Sequence, residues 1–353
     1  MNVLYLVSAT GNPLYEGRYE LYDRYMTFGQ QSFIYDLIVG LARNGAAVTL
    51  AIENASRFPL AIPLRKYCNV IDPSEESLPE SADLVLLDEG ADRLLSLLPP
   101  GVPTFRMVHH WTTPFSDDLE QRCQRFICHT ENSLRRLSAK VPVEKLALIH
   151  QGVDLQRFEP QRSRDQPDRS RIRVLIYSRL DANRGPTIWN LLEELESSTM
   201  RVTLLGDGDT FWSISDRFGS WMTPVHFIPC TSMQNFLPAF DVVISSARGV
   251  METLAMGIPA LCGGFEYAGQ VRRDNIRELL KTNITGVGMG VDPKNVQEDV
   301  RTAVARMDPS ECRKLAEDIC SVDRFIARLI AELEDVRDEL ARKQARQTVS
   351  QVS

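Results

Sequence analysis

The feature of this sequence that most constrains its fold is a repeated alternation of short apolar runs with helical segments. The apolar runs are nearly continuous, as expected of strands that are buried on both faces of a parallel sheet. Residues 33–41 carry apolar side chains at helical spacing, and Gly45 follows as a glycine suited to ending that helix. The first series of predicted strands comprises residues 2–7, 46–52, 83–89, 104–110, 125–130 and 146–150.

A polar stretch then interrupts the pattern. Residues 159–171 contain two prolines and almost no apolar side chain, a composition typical of a linker. The alternation restarts after it, with a helix near 188–195 and predicted strands at 173–179, 201–208, 225–230, 241–247 and 259–264. We therefore expect an α/β protein of two doubly wound parallel-sheet domains with a cleft between them. The predicted domains are residues 1–158 and 171–320, joined by a linker at 159–170.

The C-terminal part of the chain has a different pattern. Residues 324–346 carry an apolar stripe at helical spacing beneath a densely charged outer face, which predicts one long amphipathic helix. A stripe of this length needs a partner surface that removes it from water. Either the first domain or a second copy of the chain would serve, so monomer and homodimer both stay open.

Composition excludes several classes of protein. The net charge of −7 argues against a nucleic-acid-binding protein, and 43% hydrophobic with 25% charged residues is ordinary for a globular chain. No run approaches the roughly 18 apolar residues of a membrane span, and no signal-peptide pattern precedes the first strand. The seven cysteines are scattered without metal or redox spacing, so we expect free thiols in a cytoplasmic protein.

Ligands of parallel sheets bind beyond the carboxyl ends of the strands, and polar residues follow three predicted strands there. Arg179 and Arg184 suit a diphosphate, although two surface arginines in a turn would give the same pattern. The Gly-Asp-Gly-Asp turn at 206–209 either lets the backbone approach a ligand or is a simple tight turn. Glu252 is expected in the first turn of a helix, where it either complements the helix dipole or accepts hydrogen bonds from ribose hydroxyls.

Taken in order, these segments resemble a known family. RLDANRG, LLGDGD, VHFIPC followed by LPAFDVVIS, and METLAMGIPAL are similar to the C-terminal half of retaining glycosyltransferases with the GT-B fold. The resemblance is strongest to the large group that includes sucrose synthases and bacterial mannosyl- and glucosaminyltransferases. HQGVDLQRFEP is similar to the segment that closes the first domain in this family, and residues 28–50 resemble its first glycine-containing helix. The resemblance implies two Rossmann-like domains and a C-terminal helix, 321–346, that crosses back to the first domain.

The resemblance also implies roles for single residues. Glu252 matches the glutamate that holds the donor ribose, and Arg179 and Arg184 match the cationic pair on the donor diphosphate. His109 matches the histidine that contacts the donor sugar, and the adjacent His110 is a second candidate, also for the acceptor. The residues assigned to donor binding are Gly29, Gly206, Gly208, Arg248, Glu252, Gly263 and Gly264.

Two departures from the family pattern affect this assignment. The family's first glutamate, eight positions before Glu252, is replaced by Ile244, and the loop offers Arg248 instead, which leaves the donor sugar open. Residues 11–27 form a long segment with four tyrosines where the family usually crosses in a few residues. Tyr15 and Tyr19 are candidates for an acceptor site, and an ordered cover over the sheet edge is the alternative.

The implied reaction is transfer of a sugar, with retention, from a nucleotide sugar such as a UDP-sugar to an unidentified acceptor hydroxyl. It requires no metal ion and no cofactor, because the arginines and helix N-terminal amides would stabilise the leaving diphosphate. The alternatives are a sugar-nucleotide epimerase, a sugar phosphorylase or a catalytically silent nucleotide-sugar-binding subunit. A dinucleotide-dependent oxidoreductase is disfavoured because no G-x-G-x-x-G follows the first predicted strand.

Overall fold

The chain folds into two compact units. Unit 1 comprises Met1–Gln151 and Val322–Ser353, and unit 2 comprises Gly152–Ser321. The computed structural model describes residues 1–8, 29–53, 55, 58, 60–98, 101–109, 115–160, 171–196 and 198–352, with side chains as far as residue 346. The predicted loop at 11–27 and most of the predicted linker therefore lie outside the described residues.

Unit 1 is built on a parallel sheet that lies among helices. Its strands are β1 (Asn2–Ser8), β2 (Ala47–Glu53), β3 (Asn69–Ile71), β4 (Leu84–Leu87), β5 (Thr104–Val108), β6 (Arg125–Cys128) and β7 (Leu146–Leu148). The first helices are α1 (Gly29–Arg43), α2 (Ala61–Leu64), α3 (Asp117–Arg122) and α4 (Glu131–Leu137). The strand order is β3-β2-β1-β4-β5-β6-β7, and all pairs are parallel. The order reverses at β1, which is the topological switch point of a doubly wound sheet.

Helix α1 shows how local sequence sets an element of this unit. Phe33, Leu37 and Leu41 recur at helical spacing and are fully buried, so the apolar stripe faces the core. The helix ends at Arg43, and Gly45 beyond it has a positive φ of 79°, which suits a residue without a side chain. The amide of Gly45 donates to Ala42 and that of Ala46 to Leu41, which completes a Schellman cap.

Unit 2 contains a second sheet. Its strands are β8 (Arg173–Tyr177), β9 (Arg201–Leu205), β10 (Thr223–Val225), β11 (Val242–Ser245), β12 (Ala260–Gly263) and β13 (Tyr267–Gln270). Its helices are α5 (Gly185–Glu196), α6 (Phe211–Phe218), α7 (Met233–Phe236), α8 (Arg248–Ala255), α9 (Ile276–Leu280), α10 (Val296–Arg306) and α11 (Pro309–Ile319). The order is β10-β9-β8-β11-β12-β13. Along β8, Val174 and Ile176 enter one buried cluster and Leu175 another, so both faces of the sheet are covered.

Two details of unit 2 differ from the predicted strands. In place of the strand predicted at 225–230, the structure has the shorter β10, which begins two residues sooner. β10 is an edge strand and pairs with β9 over Thr223–Val225 alone. Pro229, which has no backbone N–H, precedes a 3-10 turn at Cys230–Ser232. The second difference is β13, which runs antiparallel to β12 and adds an antiparallel edge to a sheet predicted to be parallel.

The C-terminal helix α12 (Val322–Val352) belongs to unit 1, so the predicted cross-back to the first domain is confirmed. It packs on α1, where a Cβ added at Gly40 would lie 2.7 Å from Ile326 Cδ1. Phe325 meets Phe33 edge to face, and Arg125 of β6 binds Glu332 of the helix at 2.9 Å. α12 is long but rich in charged residues, and none of the described helices is both long and apolar enough to cross a membrane.

The chain enters unit 2 seven residues before the predicted end of the first domain. The amide of Val153 donates to the carbonyl of Cys320 at 2.7 Å, so the incoming and outgoing segments are paired inside unit 2. Phe158 is fully buried in a core cluster of that unit. Residues 152–158 were predicted in the first domain because the sequence pattern gives no sign of the pairing between Val153 and Cys320.

Candidate active site

The loops at the carboxyl ends of β8 and β9 are joined by backbone hydrogen bonds. The amide of Leu180 donates to the carbonyl of Asp207 at 2.8 Å, and the amide of Thr210 donates to the carbonyl of Leu180 at 2.9 Å. Gly206 and Gly208 lie where these loops touch, and a Cβ at either position would collide with a carbonyl oxygen of the β8 loop. Close packing between loops is thus one reason for these two glycines. Their predicted role in donor binding stays a prediction.

Both predicted diphosphate arginines follow β8. Arg179 comes two residues after the end of the strand and is half-buried, and Arg184 immediately precedes α5. The Arg184 guanidinium binds Asp181 and lies 4.2 Å above the ring of Phe265. Because Phe265 belongs to the β12–β13 turn, Arg184 connects the β8 loop with the loop after β12.

The glycines that end β12 lie beside the end of β11. A Cβ at Gly263 would come within 2.8 Å of Ile244 Cγ2, and a Cβ at Gly264 would come within 2.5 Å of Ser246 Cβ. These positions hold the β11 and β12 loops close together at the same edge of the sheet. As with Gly206 and Gly208, the structure gives a packing reason for glycine here, and donor binding stays a prediction.

The turn from β11 into α8 is strained. Ala247, the residue before the helix, has φ 48° and ψ −120°, a conformation that residues with a side chain rarely adopt. Its amide donates to the carbonyl of Ile284 at 2.9 Å, and Ile284 itself has φ 54°. Two strained residues are therefore joined by one hydrogen bond directly ahead of Arg248.

Glu252 lies in the second turn of α8, not in the first turn as predicted, because the helix begins at Arg248. The dipole interpretation is weakened, since that effect falls off within the first turn. The Glu252 side chain is 2% exposed, and its Oε1 lies 3.0 Å from Arg248 Nε and 4.0 Å from Arg157 Nη2. Arg248 Nη1 also donates to the carbonyl of Gly152 at 3.0 Å. Burial and the charge of Glu252 raise the pKa of the neighbouring Tyr177.

An exposed aromatic surface at the same edge was not predicted from the sequence. Trp212 in the first turn of α6 is 64% exposed, and its ring lies 5.3 Å from that of His226 at an interplanar angle of 33°. His226 Nε2 is 2.9 Å from Asp207 Oδ1, which holds the imidazole in place. A signal was available, because Phe211, Ile214 and Phe218 mark the buried face of α6 and leave Trp212 outside it.

In unit 1, the predicted sugar-binding His109 lies within a buried polar network at the ends of β4 and β5. Its Nε2 is 3.1 Å from Asp88 Oδ1, and its Nδ1 is 2.9 Å from Gln151 Nε2. Asp88 is fully buried and also accepts hydrogen bonds from Tyr5 and from Gln30, the residue after Gly29. Gly29 itself is the first residue of α1. The sequence did not identify Asp88, although its strand ends in two adjacent carboxylates at the edge where ligands bind.

This network shifts the ionisation of its members. Burial opposes the charge on His109, but the carboxylate of Asp88 outweighs burial and raises the pKa of His109. Burial acts likewise on Asp88, yet the charge and hydrogen bonding of His109 lower its pKa. His129, with its ring 4.7 Å from that of His109, behaves in the opposite way, because burial and the neighbouring imidazole lower its pKa to about 3. Relative to a free imidazole, the surroundings therefore favour the charged form of His109 and the neutral form of His129.

Tyr15, Tyr19 and His110, the predicted acceptor-site candidates, lie outside the described residues. The structure brings the other predicted residues to two places. Gly29 and His109 lie at the carboxyl edge of the unit 1 sheet, and the remaining predicted residues lie at the carboxyl edge of the unit 2 sheet.

Two Rossmann-like units, with a C-terminal helix returning to the first, define the GT-B architecture. The chain is similar over its length to solved structures of that architecture. One is AviGT4, a glycosyltransferase involved in avilamycin A biosynthesis, at a TM-score of 0.64 and 16% identity over 95% of this chain and 98% of that one. Another is HepE of Anabaena in complex with UDP and glucose, at a TM-score of 0.58 and 14% identity over 97% of this chain and 99% of that one.

An epimerase shares the same architecture. UDP-GlcNAc 2-epimerase from Neisseria meningitidis, bound to UDP-GlcNAc, matches with a TM-score of 0.56 and 12% identity over 95% of this chain and 100% of that one. No protein-family model and no curated protein sequence matches this chain. At these identities the likeness establishes the fold, and the reaction has to be argued from the site.

Proposed function

We propose that the protein is a retaining glycosyltransferase that moves a sugar from a nucleotide-sugar donor to an acceptor hydroxyl. The observation that carries the proposal is the arrangement of one sheet edge in unit 2. There the loop with Arg179 and Arg184 leaves β8, and the helix with the buried Glu252 leaves the neighbouring strand β11. A nucleoside diphosphate presents the matching groups, two anionic phosphates and a ribose with two hydroxyl donors.

The two arginines would bind the diphosphate and stabilise it as the leaving group. Guanidinium groups suit phosphate oxygens because they form paired, charge-assisted hydrogen bonds. The charge that develops on the departing phosphate is then met by groups already in place, a contribution of about 10²- to 10³-fold in turnover for one donor. In this proposal no metal ion is needed, and the leaving phosphate helps to take the acceptor proton on the same face of the sugar.

The donor base has a suitable surface nearby. Trp212 and His226 form an exposed aromatic pair, and Asp207, which positions His226, is bonded through its carbonyl to the β8 loop. Stacking of a base on an aromatic ring tolerates any base because every base has a π-face. We propose this pair as the stacking surface, with the identity of the base left to experiment.

Gly29 and His109 of unit 1 stay proposals for the donor side, as the family resemblance implies. The Asp88 carboxylate keeps His109 oriented, as carboxylates commonly do for functional histidines. His110, Tyr15 and Tyr19 stay proposals for the acceptor side.

Epimerisation of a nucleotide sugar is the second candidate function. Its basis is the cluster of Asp88, Glu89 and His109, in which Glu89 accepts the His109 amide at 2.8 Å. Carboxylates around an imidazole can move protons at a sugar carbon. The two functions differ in product, since an epimerase changes the sugar and a transferase releases the nucleoside diphosphate. The absent first glutamate also keeps a silent binding subunit as an alternative.

The first experiment is a thermal-shift screen with UDP, GDP, ADP and dTDP. A ligand that binds the folded chain alone raises the unfolding temperature, because it stabilises that state by RT ln(1+[L]/Kd). The corresponding nucleotide sugar is then incubated with the protein, and the products are separated. Release of nucleoside diphosphate supports transfer, an epimeric sugar supports the second candidate, and no shift with any of the four nucleotides contradicts both.

The diphosphate assignment has its own test. Arg179→Ala and Arg184→Ala should weaken binding of the selected diphosphate far more than binding of its nucleoside. Arg217→Ala, which removes a surface arginine of α6 paired with Glu196, serves as the control. Equal weakening of both ligands would contradict the phosphate contact. Turnover should also survive EDTA. This chelator tests the Asp-Gly-Asp turn at 207–209, whose two carboxylates could hold a metal ion. Loss of turnover would rule out the metal-independent route.

A further inference from the structure

The Arg248–Glu252 pair is built in an order that does not stabilise its own helix. Arg248 is the first residue of α8, so its charge faces the positive end of the helix dipole. At this i, i+4 spacing the favourable order is the reverse, with the acidic residue nearer the N-terminus. Helix stability therefore does not account for the pair, and another role has to be sought.

Burial makes the pair still less favourable as a structural device. The side chains of Arg248 and Glu252 are 5% and 2% exposed. Two charges that are removed from water lose hydration energy, and their mutual attraction barely offsets this loss. Apolar residues of similar size often make a protein equally stable or more stable. A buried pair at the edge of a sheet where ligands bind is better explained by what the ligand does to it.

The Glu252 oxygen that faces Arg248 is also close to a second guanidinium. Oε1 lies 3.0 Å from Arg248 Nε and 4.0 Å from Nη2 of Arg157, whose guanidinium stacks on the ring of Phe158 at 4.4 Å. Ribose hydroxyls that bind Glu252 Oε1 must therefore share or displace a contact that an arginine now makes. Hydroxyls are neutral, so they satisfy the carboxylate without offering the arginine a new anion.

Arg248 is well placed to find that anion in the donor. It follows the carboxyl end of β11, which pairs with β8, the strand that leads to Arg179. Ser245 at the end of β11 donates its hydroxyl to the carbonyl of Tyr177 at the end of β8 at 2.6 Å. The Arg248 helix and the proposed diphosphate loop thus start from adjacent, directly bonded strand ends.

We propose that Arg248 exchanges partners when the donor binds. In the unliganded protein it holds Glu252; on binding, the ribose hydroxyls take the carboxylate and Arg248 turns to the diphosphate. This inference rests on the proposed donor site and adds a selection rule to it. A nucleoside alone disrupts the ion pair with no compensation, whereas a nucleoside diphosphate both disrupts it and replaces the lost anion. The ribose site is thereby reserved for phosphorylated ligands.

The test compares two ligands across three proteins by calorimetry. The ligands are the diphosphate selected by the thermal-shift screen and its nucleoside, and the proteins are wild type, Arg248→Met and the control Arg217→Met. Methionine keeps an unbranched side chain of similar reach and removes the charge. We expect Arg248→Met to bind the nucleoside more tightly than wild type and the diphosphate about tenfold or more weakly, the size of one lost charge-assisted hydrogen bond. Arg217→Met should leave both affinities unchanged.

Other outcomes separate the failure of this inference from failure of the proposed function. If Arg248→Met weakens nucleoside and diphosphate by the same factor, Arg248 is a brace for Glu252 and the exchange is wrong. If neither affinity changes, Arg248 does not sense the ligand and the exchange is also wrong. If wild type binds none of the four diphosphates, the proposed function itself fails and takes the exchange with it.

A second variant covers the case in which Arg248→Met does not fold. Arg248→Lys keeps the charge but loses the paired donors of the guanidinium, so it should hold both partners less firmly. Its ratio of diphosphate to nucleoside affinity should fall below that of wild type. A ratio equal to or above the wild-type value overturns the exchange.

Discussion

Each unit buries a charge pair at the carboxyl edge of its sheet, and the two pairs differ in their surroundings. In unit 1 Asp88 and His109 follow neighbouring strands, and uncharged donors complete the hydrogen bonding of the carboxylate. A third uncharged group, the Nε2 amide nitrogen of Gln151, lies 2.9 Å from Nδ1 of His109 and donates to it while the imidazole is neutral. The unit 1 pair is thus embedded in a hydrogen-bond network, whose members orient one another.

The unit 2 pair lies among charged side chains. Arg248 and Glu252 belong to one helix, and the next charged group that approaches the carboxylate is another arginine, Arg157. An arginine stays protonated at any physiological pH, whereas a histidine changes charge near neutrality. The difference suggests that pH acts mainly on unit 1 and that an anionic ligand acts mainly on unit 2.

The largest effect should come from breaking the unit 1 pair. Asp88→Ala leaves a buried imidazole and two hydrogen-bond donors without their acceptor, so we expect a loss of about 3–5 kcal/mol in the free energy of unfolding. Urea denaturation measures it. The control Asp83→Ala removes an exposed carboxylate of the same unit, paired with Arg337, and should cost less than about 1 kcal/mol. Equal losses for the two variants would mean that the network does not stabilise unit 1.

The unit 2 pair should affect ligand affinity more than the pH dependence of stability. Glu252→Gln removes the charge that ribose hydroxyls would meet, and we expect nucleotide affinity to fall by roughly 1.5–3 kcal/mol. The matched control is Glu278→Gln, an exposed residue of α9 that pairs with Lys281. Calorimetry with the selected diphosphate compares them. Unchanged affinity in Glu252→Gln would remove the ribose assignment.

Apolar periodicity predicted most of the fold, because long buried strands such as β1 and β2 leave nearly continuous apolar runs. It failed where an element is short or at an edge. β3 spans Asn69–Ile71 alone, and β13, which contains Gly269 at a φ of 70°, pairs antiparallel with β12. Such elements are held by neighbouring strands and turns, and their own side chains carry little pattern.

The candidate site was predicted in part for a similar reason. Motif order pointed to Arg179, Arg184 and Glu252, and the i, i+4 spacing of Arg248 and Glu252 was visible in the sequence. Their burial was not visible, because it depends on how the segment from Gly152 packs against α8. The Asp88–His109 pair joins residues on different strands, so it required the register of β4 against β5.

The pH dependence of stability should be dominated by the histidines of unit 1. Unfolded His129 takes up a proton below its ordinary pKa of about 6.5, whereas in the fold its pKa is lowered to about 3. Between these values the unfolded state binds more protons, so stability falls as the pH drops. His109 has a raised pKa, so its contribution is complete below about 6.5 and is lost as the pH rises through the folded value. Unit 1 should therefore be most stable near pH 6.5.

Replacing His129 tests this profile. His129→Gln keeps a donor for the carbonyl of Ile149 and removes the titration. Between pH 6.5 and 5.5 wild type should lose about 1 kcal/mol more than the variant, since one proton is worth about 1.4 kcal/mol per pH unit. His226→Gln in unit 2, where the imidazole is half exposed, should leave the profile of unit 1 unchanged. An identical acid limb in wild type and His129→Gln would refute the assignment.

The smallest expected effect concerns a part of unit 2 that lies apart from its buried charge pair. Trp212 is largely exposed, so Trp212→Ala should barely change stability, yet it removes one face of the proposed base-stacking surface. We expect nucleotide affinity to fall by about 1 kcal/mol, the lower end of the range for a stacked base, because one face is covered. The loss should be the same for nucleoside and diphosphate, unlike the loss caused by Arg248→Met. The matched control is Trp189→Phe, on α5 and packed against Phe218. Quenching of tryptophan fluorescence by nucleotide should persist in this control and disappear in Trp212→Ala. If quenching persists without Trp212, the base binds elsewhere and the aromatic pair is not part of the donor site.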